Sequence, residues 1–324
     1  MPTCLVVQPI HPCGVDILHA AGIAVRNSSS ADMAIVAQEI TDCEAVITRN
    51  AGLSTAAINA ASQLKVIANH GIGTNKIDVT HAHALNIPIA FTPYANARSV
   101  AEHALMLMLA VGKRLVLNDA AVRSGDWDYR YKPGLQELSG KTLAISGWGT
   151  IGRLTAAIAA NGFGMKVIVH SPSADPAGIR EAGAEPVATL DQLLMRADVL
   201  SLHRPSRPDT KHMLNAETLK KLKSTAIVVN TARADLIDTD ALVAALRDGK
   251  LAGAGLDVFD QEPMPVGHPL RELPNVVLTP HTAGSTDEAL AQTATQCANQ
   301  IIDVLAGRKP LHLVDPAVWS RRRT

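Results

Sequence analysis

The sequence predicts an α/β protein with two domains: a doubly wound parallel-sheet domain and a smaller, discontinuous α/β domain. Short apolar strands alternate with helical patterns along most of the 324 residues, which is typical of parallel strands joined by crossover helices. A glycine-rich segment, GWGTIG at residues 147–152, directly follows one strand and opens a helix. A last helical stretch, over about 287–305, lies beyond the strand series, and we expect it to return to the smaller domain.

The smaller domain begins with short apolar runs bounded by polar or turn residues. We predict strands at 4–7, 45–48, 66–69 and near 87–90, with helices between them. One helix is predicted over 55–61, opened by a Ser-Thr pair that is suited to capping. A long apolar helix over about 99–117 follows, and the polar segment RSGDWDYRYKPG after it separates the two series of strands.

The larger domain is predicted from six further strands, at 142–146, 167–169, 199–202, 227–230, 254–257 and 276–278. Six strands with helices between them fit one doubly wound nucleotide-binding domain. We therefore assign residues 1–98 and 286–324 to a substrate-binding or lid domain, and residues 99–285 to a dinucleotide-binding domain.

Composition and charge narrow the functional classes. The chain is 47% hydrophobic and 19% charged, as in ordinary globular proteins, and its formal net charge of zero gives no field that would attract nucleic acid or an anionic membrane. The first residues do not show the basic region followed by an apolar segment that is typical of a signal peptide. The apolar run at 104–111 is too short to span a membrane. The four cysteines have no metal-binding spacing and indicate free thiols in the cytoplasm, so no metal site is expected.

The glycine loop has the spacing that a dinucleotide requires. Gly147 permits a tight turn, Gly149 lets the backbone approach a pyrophosphate, and Gly152 allows close packing of helix on strand. Free N–H groups at the start of the helix, around Ile151, would face the phosphate oxygens. Strand, loop, helix and next strand are in register, so we predict a dinucleotide site instead of a merely glycine-rich turn.

Three polar side chains follow three later strands of the same series. Arg233 follows AIVVN, Glu262 follows GLDVF, and His281 follows VVLTP. Ligands of α/β sheets bind beyond the carboxyl ends of the strands, so these residues are better candidates for chemistry than polar residues elsewhere. Each alone would also fit an exposed arginine, a turn glutamate or a capping histidine.

Hydride transfer explains this set of residue types. Transfer to a carbonyl carbon leaves negative charge on oxygen, which needs a proton donor with a pKa near the working pH, and histidine suits that role. A carboxylate bonded to the other imidazole nitrogen fixes the tautomer and favours the protonated form. Arginine offers a planar fork that grips a substrate carboxylate and polarises the neighbouring carbonyl.

With these motifs in order, the chain resembles the D-isomer-specific 2-hydroxyacid dehydrogenase family. GWGTIG, NTARADLID, DALVAALRDGKLAGAGLDVFDQEP and TPHTAGST match the family's signatures, and VIANHGIGTNKIDV and ELSGKTLAI extend the match over nearly the whole chain. Within the family, GIGTNKIDV, NARSVAEHAL and HTAGST look most like short D-3-phosphoglycerate dehydrogenase-type members. The resemblance implies a Rossmann nucleotide domain, a flavodoxin-like lid domain, and a homodimer or homotetramer assembled through the nucleotide domain.

The resemblance also implies roles for individual residues. Arg233 would bind the substrate carboxylate and carbonyl, Glu262 would pair with the imidazole, and His281 would act as general acid/base. Substrate would also contact Arg49 and the backbone at 72–73. The implied substrate contacts are Arg49, Ile72, Gly73, Arg233 and His281. The implied cofactor contacts are Gly147, Gly149, Thr150, Ile151, Gly152, Ser171, His203, Arg204, Thr231, Ala232, Arg233, Asp257 and His281. Among these, Asp257 would contact the nicotinamide carboxamide.

The expected activity is NAD(P)-dependent interconversion of a D-2-hydroxy acid and its 2-keto acid, with 3-phosphoglycerate-type substrates favoured. Arg49, Arg98 and Lys76 are the cations that would serve a phosphate or second carboxylate. A glyoxylate/hydroxypyruvate reductase or a D-lactate-like dehydrogenase would use the same three residues on another side group. An NAD-sensing corepressor-type binding protein would keep the fold and the three residues but usually adds terminal interaction segments.

Some positions depart from the family's pattern. Asn69 and His70 precede the carboxylate-binding loop where phosphoglycerate-type members are often apolar or carry cysteine, and we expect His70 to bond to local backbone. Asp235 stands where the family favours a small residue, and the sequence offers no account of it. 

The strand end that selects the cofactor carries Ser171 where NAD-preferring relatives have an acid that repels a 2′-phosphate. Asp175 is a weaker substitute for that acid, since Pro172 and its distance from the strand stand against it. The loop HRPSRPDT brings Arg204 and Arg207 toward the adenine side. The cofactor is therefore expected to be NAD or NADP, with NADP accepted.

Overall fold

The computed structural model describes residues 1–132 and 134–324, and the chain divides into two compact units. The first unit comprises residues 1–96 and 285–324, and the second comprises residues 97–284. Each unit contains one entirely parallel sheet with helices on both faces. The predicted fold class, two parallel-sheet α/β domains of unequal size, is confirmed.

The sheet of the first unit has five parallel strands in the order β2-β1-β3-β4-β5, which is the flavodoxin order. Its strands are β1 Thr3–Val6, β2 Ala24–Asn27, β3 Ala45–Thr48, β4 Val66–Asn69 and β5 Ile89–Phe91. Strand β2 was not predicted from the sequence. It lies at the sheet edge and half of its residues are exposed, so the sequence AVRN carries no apolar run that would reveal it.

The helices of the first unit come from both ends of the chain. They are α1 Pro12–Ala20, α2 Met33–Glu39, α3 Thr55–Ala60, α4 Val79–Ala84 and, after the second unit, α12 Asp287–Leu305. Helix α12 packs closely on α1, because a Cβ atom built at Gly14 would lie only 2.9 Å from the Cβ atom of Ala294. Helix α12 is thus part of the first unit.

The sheet of the second unit has seven parallel strands in the order β12-β11-β10-β9-β6-β7-β8. They are β6 Thr142–Ser146, β7 Lys166–His170, β8 Glu185–Pro186, β9 Val199–Leu202, β10 Ile227–Asn230, β11 Gly253–Leu256 and β12 Val276–Leu278. The strand order reverses between β6 and β9, as in Rossmann sheets, and ligands of such sheets bind at that point. The sequence missed β8, a two-residue edge strand that contains a proline.

The second unit also carries the helices α5 Ala97–Gly112, α6 Leu115–Ser124, α7 Thr150–Phe163, α8 Pro176–Glu181, α9 Leu190–Arg196, α10 Ala216–Leu219 and α11 Thr239–Arg247. The single predicted helix over 99–117 is wrong. The chain breaks at Arg114, whose φ of 47° is left-handed, and the Asn118 side-chain amide donates to the carbonyl oxygens of Lys113 and Arg114 at the break. Within the described ranges, no helix is both long and apolar enough to cross a membrane.

Candidate active site

The glycine loop leaves strand β6 at the point where the strand order reverses. Gly147 has a φ of 104°, and a Cβ atom built there would lie 2.6 Å from the carbonyl oxygen of His203. A Cβ atom at Gly152 would lie 2.4 Å from the carbonyl oxygen of Gly147. Both glycines are therefore required by close backbone contacts, as the motif predicted, and any side chain would push the loop out of place.

Helix α7 begins immediately after this loop, at Thr150. Its N-cap is Gly149, which supplies no side-chain hydrogen bond, so the first N–H groups of the helix stay available to an external acceptor. A pyrophosphate is such an acceptor, and the helix dipole favours its charge. The predicted contacts at 149–152 thus lie on a backbone that fits a dinucleotide.

The turn after strand β10 carries further predicted cofactor residues. Asn230 stabilises this turn, because its amide donates to the carbonyl oxygen of Arg233 at 2.8 Å and its Oδ1 accepts from the N–H of Ala232 at 3.0 Å. The hydroxyl of Thr231 is buried with no hydrogen-bond partner in the described part of the chain. A bound polar ligand would satisfy that hydroxyl, which is a second observation that fits a nucleotide here.

The loop after strand β9 is held by its own residues. Burial lowers the pKa of His203 to about 4, so its imidazole is neutral, and its Nε2 lies 2.9 Å from the Ser201 hydroxyl. Arg204 pairs with Asp209 at 3.3 Å, whereas Arg207 is exposed.

Asp235, for which the sequence offered no account, ties the loop after β9 to the turn that carries Arg233. Its carboxylate accepts from the Ser206 hydroxyl, and its carbonyl oxygen accepts from the N–H of His212 at 2.7 Å. Asp235 therefore links the loop after β9 to the turn after β10 through both its side chain and its backbone.

Ser171 directly follows strand β7, where the family's acidic residue would stand. The Asp175 carboxylate caps helix α8, because its Oδ1 accepts from the N–H of Ala177 at 3.0 Å. Its weaker candidacy as a substitute for that acid stays a prediction.

Arg233 lies in extended backbone just beyond β10, and its side chain is partly buried. Its Nη1 donates to the carbonyl oxygen of Ala232 at 2.6 Å, which fixes the base of the fork. Burial lowers the pKa of Arg233, and the charges of Asp235 and Glu262 act in the opposite direction. The guanidinium remains a cation, because an ordinary arginine pKa lies far above neutrality.

His281 and Glu262 form a direct pair. The imidazole Nδ1 lies 3.0 Å from Oε1 and 2.9 Å from Oε2 of the carboxylate, and the N–H of Phe259 donates to Oε1 at 3.2 Å. An acceptor at Nδ1 holds the proton on that nitrogen in the neutral ring. Nε2 makes no hydrogen bond within the described residues, and the His281 side chain is 35% exposed. This arrangement suits proton transfer through Nε2.

Asp257 anchors the loop that carries His281. Its buried carboxylate accepts from the Thr279 hydroxyl at 2.6 Å, from the N–H of Thr282 at 2.8 Å and from the N–H of Ala283 at 2.9 Å. His281 itself has a φ of 56°, a conformation that non-glycine residues rarely adopt. Its contact with the nicotinamide carboxamide stays a prediction; the observed bonds hold the His281 loop from both sides.

Two residues that the sequence did not single out, His103 and Thr279, belong to the hydrogen-bonded group around Asp257. His103 lies on α5, with Nε2 2.9 Å from the hydroxyl of Thr279. The sequence separation of 176 residues explains why no local pattern revealed the pair.

The predicted substrate residues of the first unit cluster at the ends of β3 and β4. The Asn69 amide donates to the carbonyl oxygens of Gly71 and Gly73, at 2.9 and 3.2 Å, which shapes the loop. Within the described chain, the N–H groups of Ile72 and Gly73 make no hydrogen bond, so both are available to a carboxylate. 

Arg49 and His70 lie at these strand ends too. Burial lowers the pKa of Arg49, whose Nη1 donates to the carbonyl oxygen of Pro9 at 2.6 Å. Burial, with the charge of Arg49, lowers the pKa of His70 to about 4, so the ring is neutral. Its Nε2 is buried and has no hydrogen-bond partner within the described residues, and the expected bond to local backbone stays a prediction.

A family model described as D-isomer specific 2-hydroxyacid dehydrogenase, NAD binding domain, matches residues 105–283, which lie within the second unit and contain the glycine loop, Arg233, Glu262 and His281. The chain belongs to this family. This confirms the family predicted from the motifs and identifies the second unit as the NAD-binding domain of a D-2-hydroxyacid dehydrogenase.

Individual relatives divide between two activities. A glyoxylate reductase from Thermofilum pendens is 39% identical over 82% of this chain and 79% of its own length. A D-3-phosphoglycerate dehydrogenase from Methanocaldococcus jannaschii is 36% identical over 97% of this chain but 60% of its own length. The structure of an NADPH-dependent glyoxylate/hydroxypyruvate reductase from Sinorhizobium meliloti, with NADP and malonate, superposes with a TM-score of 0.87 at 28% identity and covers 100% of this chain and 99% of that one.

These findings make the chain an NAD(P)-dependent D-2-hydroxyacid dehydrogenase. The prediction of NAD or NADP as cofactor is confirmed at that level, and so is a small-molecule substrate.

Replacing Gly147 with alanine is expected to weaken dinucleotide binding at least tenfold, because the new Cβ atom meets the His203 carbonyl and the residue must keep a φ of 104°. Titration of NADH or NADPH by fluorescence measures this. Gly162→Ala, on α7 where a Cβ atom meets nothing within 4 Å, is the matched control. Equal affinity of the Gly147 variant and wild type would contradict the assignment of the loop.

Proposed function

We propose that this dehydrogenase reduces small 2-keto acids, glyoxylate and hydroxypyruvate in particular, to the corresponding 2-hydroxy acids, with NADPH accepted as well as NADH. One observation carries the chemistry: the His281 imidazole is bonded to Glu262 through Nδ1 while Nε2 is open. The same sheet edge carries the partly buried guanidinium of Arg233. An acid and a carboxylate-binding cation are what keto-acid reduction needs.

The residues would act in the following way. Arg233 binds the keto acid through its carboxylate and carbonyl oxygens and so polarises the carbonyl. His281 gives the proton on Nε2 to the carbonyl oxygen as negative charge develops there, and Glu262 stabilises the imidazolium before transfer. In the direction of oxidation, His281 removes the hydroxyl proton through the same nitrogen. A bound reduced nicotinamide supplies the hydride.

The charges available to substrate support a small, singly charged keto acid. Of the three cations that would serve a phosphate, Arg98 is paired with Glu102 at 2.5 Å and Lys76 is exposed, which leaves Arg49. A phosphate ester brings more negative charge into a site than a keto acid does, and buried charge must be paired. Glyoxylate and hydroxypyruvate carry no charge beyond the carboxylate, and the Thermofilum and Sinorhizobium relatives are reductases of such substrates.

A second candidate is a 3-phosphoglycerate-type substrate, and Arg49 is the observation that favours it. Its guanidinium is partly buried at the end of β3, close enough to His70 to lower the pKa of that imidazole. A cation held there would attract a second anionic group of a substrate. The Methanocaldococcus relative carries the corresponding activity in its name.

A substrate panel separates these candidates. We expect the highest kcat/KM with glyoxylate or hydroxypyruvate and NADPH or NADH, measured by absorbance at fixed pH. Pyruvate, oxaloacetate and, in the direction of oxidation, 3-phosphoglycerate complete the panel. A higher kcat/KM for 3-phosphoglycerate would favour the second candidate, and no turnover on any keto acid would refute both and favour a nucleotide-sensing binding protein.

Acceptance of NADP is inferred from the strand end at Ser171. No carboxylate stands there to repel a 2′-phosphate, since Asp175 is engaged at the N-cap of α8. Strands β7 and β9 both flank β6, so their ends lie about 10 Å apart, within reach of a long side chain. Arg207 is the better cation for the phosphate, because Arg204 is already paired with Asp209.

Ser171→Asp is expected to shift the ratio of kcat/KM for NADPH to that for NADH at least tenfold toward NADH, because the new carboxylate would repel the 2′-phosphate. Arg207→Gln is expected to lower kcat/KM for NADPH alone, and Arg204→Gln is its matched comparison. A wild type with a large preference for NADH, unchanged in Ser171→Asp, would overturn the inference.

We further infer a homodimer or homotetramer formed through the second unit, in the cytoplasm. Six large apolar side chains in the segment 115–135 are more than half exposed: Leu115, Val116, Val122, Trp127, Tyr131 and Leu135. A cavity of about 510 Å³ lies beside this segment, lined in part by Val111, Ile227 and Val277. A second copy of the chain would cover such a surface. Sedimentation velocity of Trp127→Asp and of wild type tests this oligomeric state, and a monomeric wild type would refute it.

The proposed location in the cytoplasm is supported by the four cysteines, all of which are free thiols.

A further inference from the structure

We propose that His103 is a positioning residue for the active site: through Thr279 and Asp257 it holds the backbone on both sides of His281. The inference rests on the proposed function for its kinetic consequences only. All the contacts that carry it lie within the second unit.

Close packing of α5 on β11 brings His103 into place. A Cβ atom built at Gly253 would lie 2.7 Å from Val111 Cγ1, and one built at Gly255 would lie 2.8 Å from Leu107 Cβ. Gly253 and Gly255 are two residues apart on the strand and therefore lie on the same face of the sheet, and Val111 and Leu107 are four residues apart and lie on the same face of the helix. These two faces pack against each other. The next positions are Asp257 and His103, and His103 Nε2 lies 3.5 Å from Asp257 Oδ1.

The hydrogen bonds define the proton on His103. The Thr279 hydroxyl has one proton, which it donates to the Asp257 carboxylate at 2.6 Å. That hydroxyl is therefore an acceptor toward His103, at 2.9 Å, and the imidazole carries a proton on Nε2. Burial lowers the pKa of His103, with Asp257 acting in the opposite direction, so the ring is neutral near pH 7.

The held residues flank His281 directly. The carbonyl oxygen of Thr279 accepts from the N–H of His281 at 2.9 Å, and Asp257 accepts from the N–H groups of Thr282 and Ala283. The left-handed backbone of His281 persists only where surrounding bonds maintain it. Loss of the His103 bond frees the Thr279 hydroxyl to rotate away from Asp257, which loosens the segment that presents His281 to Glu262.

The test compares His103→Leu with His103→Gln. Glutamine places an amide N–H near the position of the imidazole Nε2, whereas leucine fills the space without a donor. We expect His103→Leu to speed amide exchange in the 279–283 segment about tenfold while helix α7 exchanges as in wild type. Its kcat should fall about 10- to 100-fold with a smaller change in the KM for dinucleotide, because the acid is misplaced. His103→Gln should stay within a few-fold of wild type in both measurements.

Thr279→Val supplies the second variant, since it removes the hydroxyl at nearly constant shape and carries the test if His103→Leu does not fold. It should reproduce the effect of His103→Leu, and the double variant should be no worse than either single one. Wild-type exchange and kcat in both His103→Leu and Thr279→Val would overturn the proposal, and so would equal losses in His103→Leu and His103→Gln. Exchange needs no turnover, so an inactive wild type would refute the proposed function and leave the exchange test of His103 intact.

Discussion

Replacing His281 with alanine is expected to lower kcat for keto-acid reduction by about 10²–10⁴. The variant retains Arg233 and the nucleotide loop, but no group remains to give a proton to the carbonyl oxygen. Steady-state kinetics at saturating dinucleotide and keto acid measure the effect.

The size of that loss is interpretable only if binding survives. Dinucleotide affinity of His281→Ala should stay within a few-fold of wild type, because the glycine loop lies on another strand end. His19→Ala, at an exposed position on α1, is the matched control and should keep wild-type kcat. Near-normal kcat in His281→Ala would refute the acid/base role.

Arg233→Lys is expected to lower kcat/KM for the keto acid by about 10²–10³, mainly through a higher KM. Lysine keeps the charge but is a point donor, whereas the guanidinium contacts two substrate oxygens in one plane. In this chain the loss is increased by burial of the site, since the Ala232 carbonyl oxygen, now 2.6 Å from Nη1, would lose its donor.

Arg247→Lys provides the comparison, because Arg247 is an exposed residue in the last turn of α11. Its kinetic constants should match those of wild type. A kcat/KM for Arg233→Lys within threefold of wild type would contradict the assignment of Arg233 to the substrate carboxylate.

Much of this site is visible in the sequence because each element has a local signal. The glycine spacing at 147–152 reports backbone contacts, and Arg233, Glu262 and His281 each lie a few residues beyond the end of an apolar strand. Because parallel strands place such positions at one edge of the sheet, the topology predicts that these three residues lie near one another. 

Other features depend on contacts between distant segments, which a local pattern does not report. The bond of His103 with Thr279 depends on how deeply α5 packs on β11, which two glycines about 150 residues away set. Strand β2 owes its existence to pairing with β1 and not to its own apolar content. The break at Arg114 depends on a left-handed φ of 47°, which no glycine in the sequence signals, and on the Asn118 side chain, which bonds to two carbonyl oxygens there.

The return of α12 to the first unit has a consequence for the order in which the protein forms. Its buried face includes Cys297, Ala298 and Ile301, which pack with residues of β1, β3 and β4 in one core. On the ribosome, strands β1 to β5 emerge early but lack this covering until residues 287–305 have been made. The second unit is contiguous and has all its strands by residue 278. Synthesis therefore completes the nucleotide-binding half first, and the half that begins the chain is the last to close.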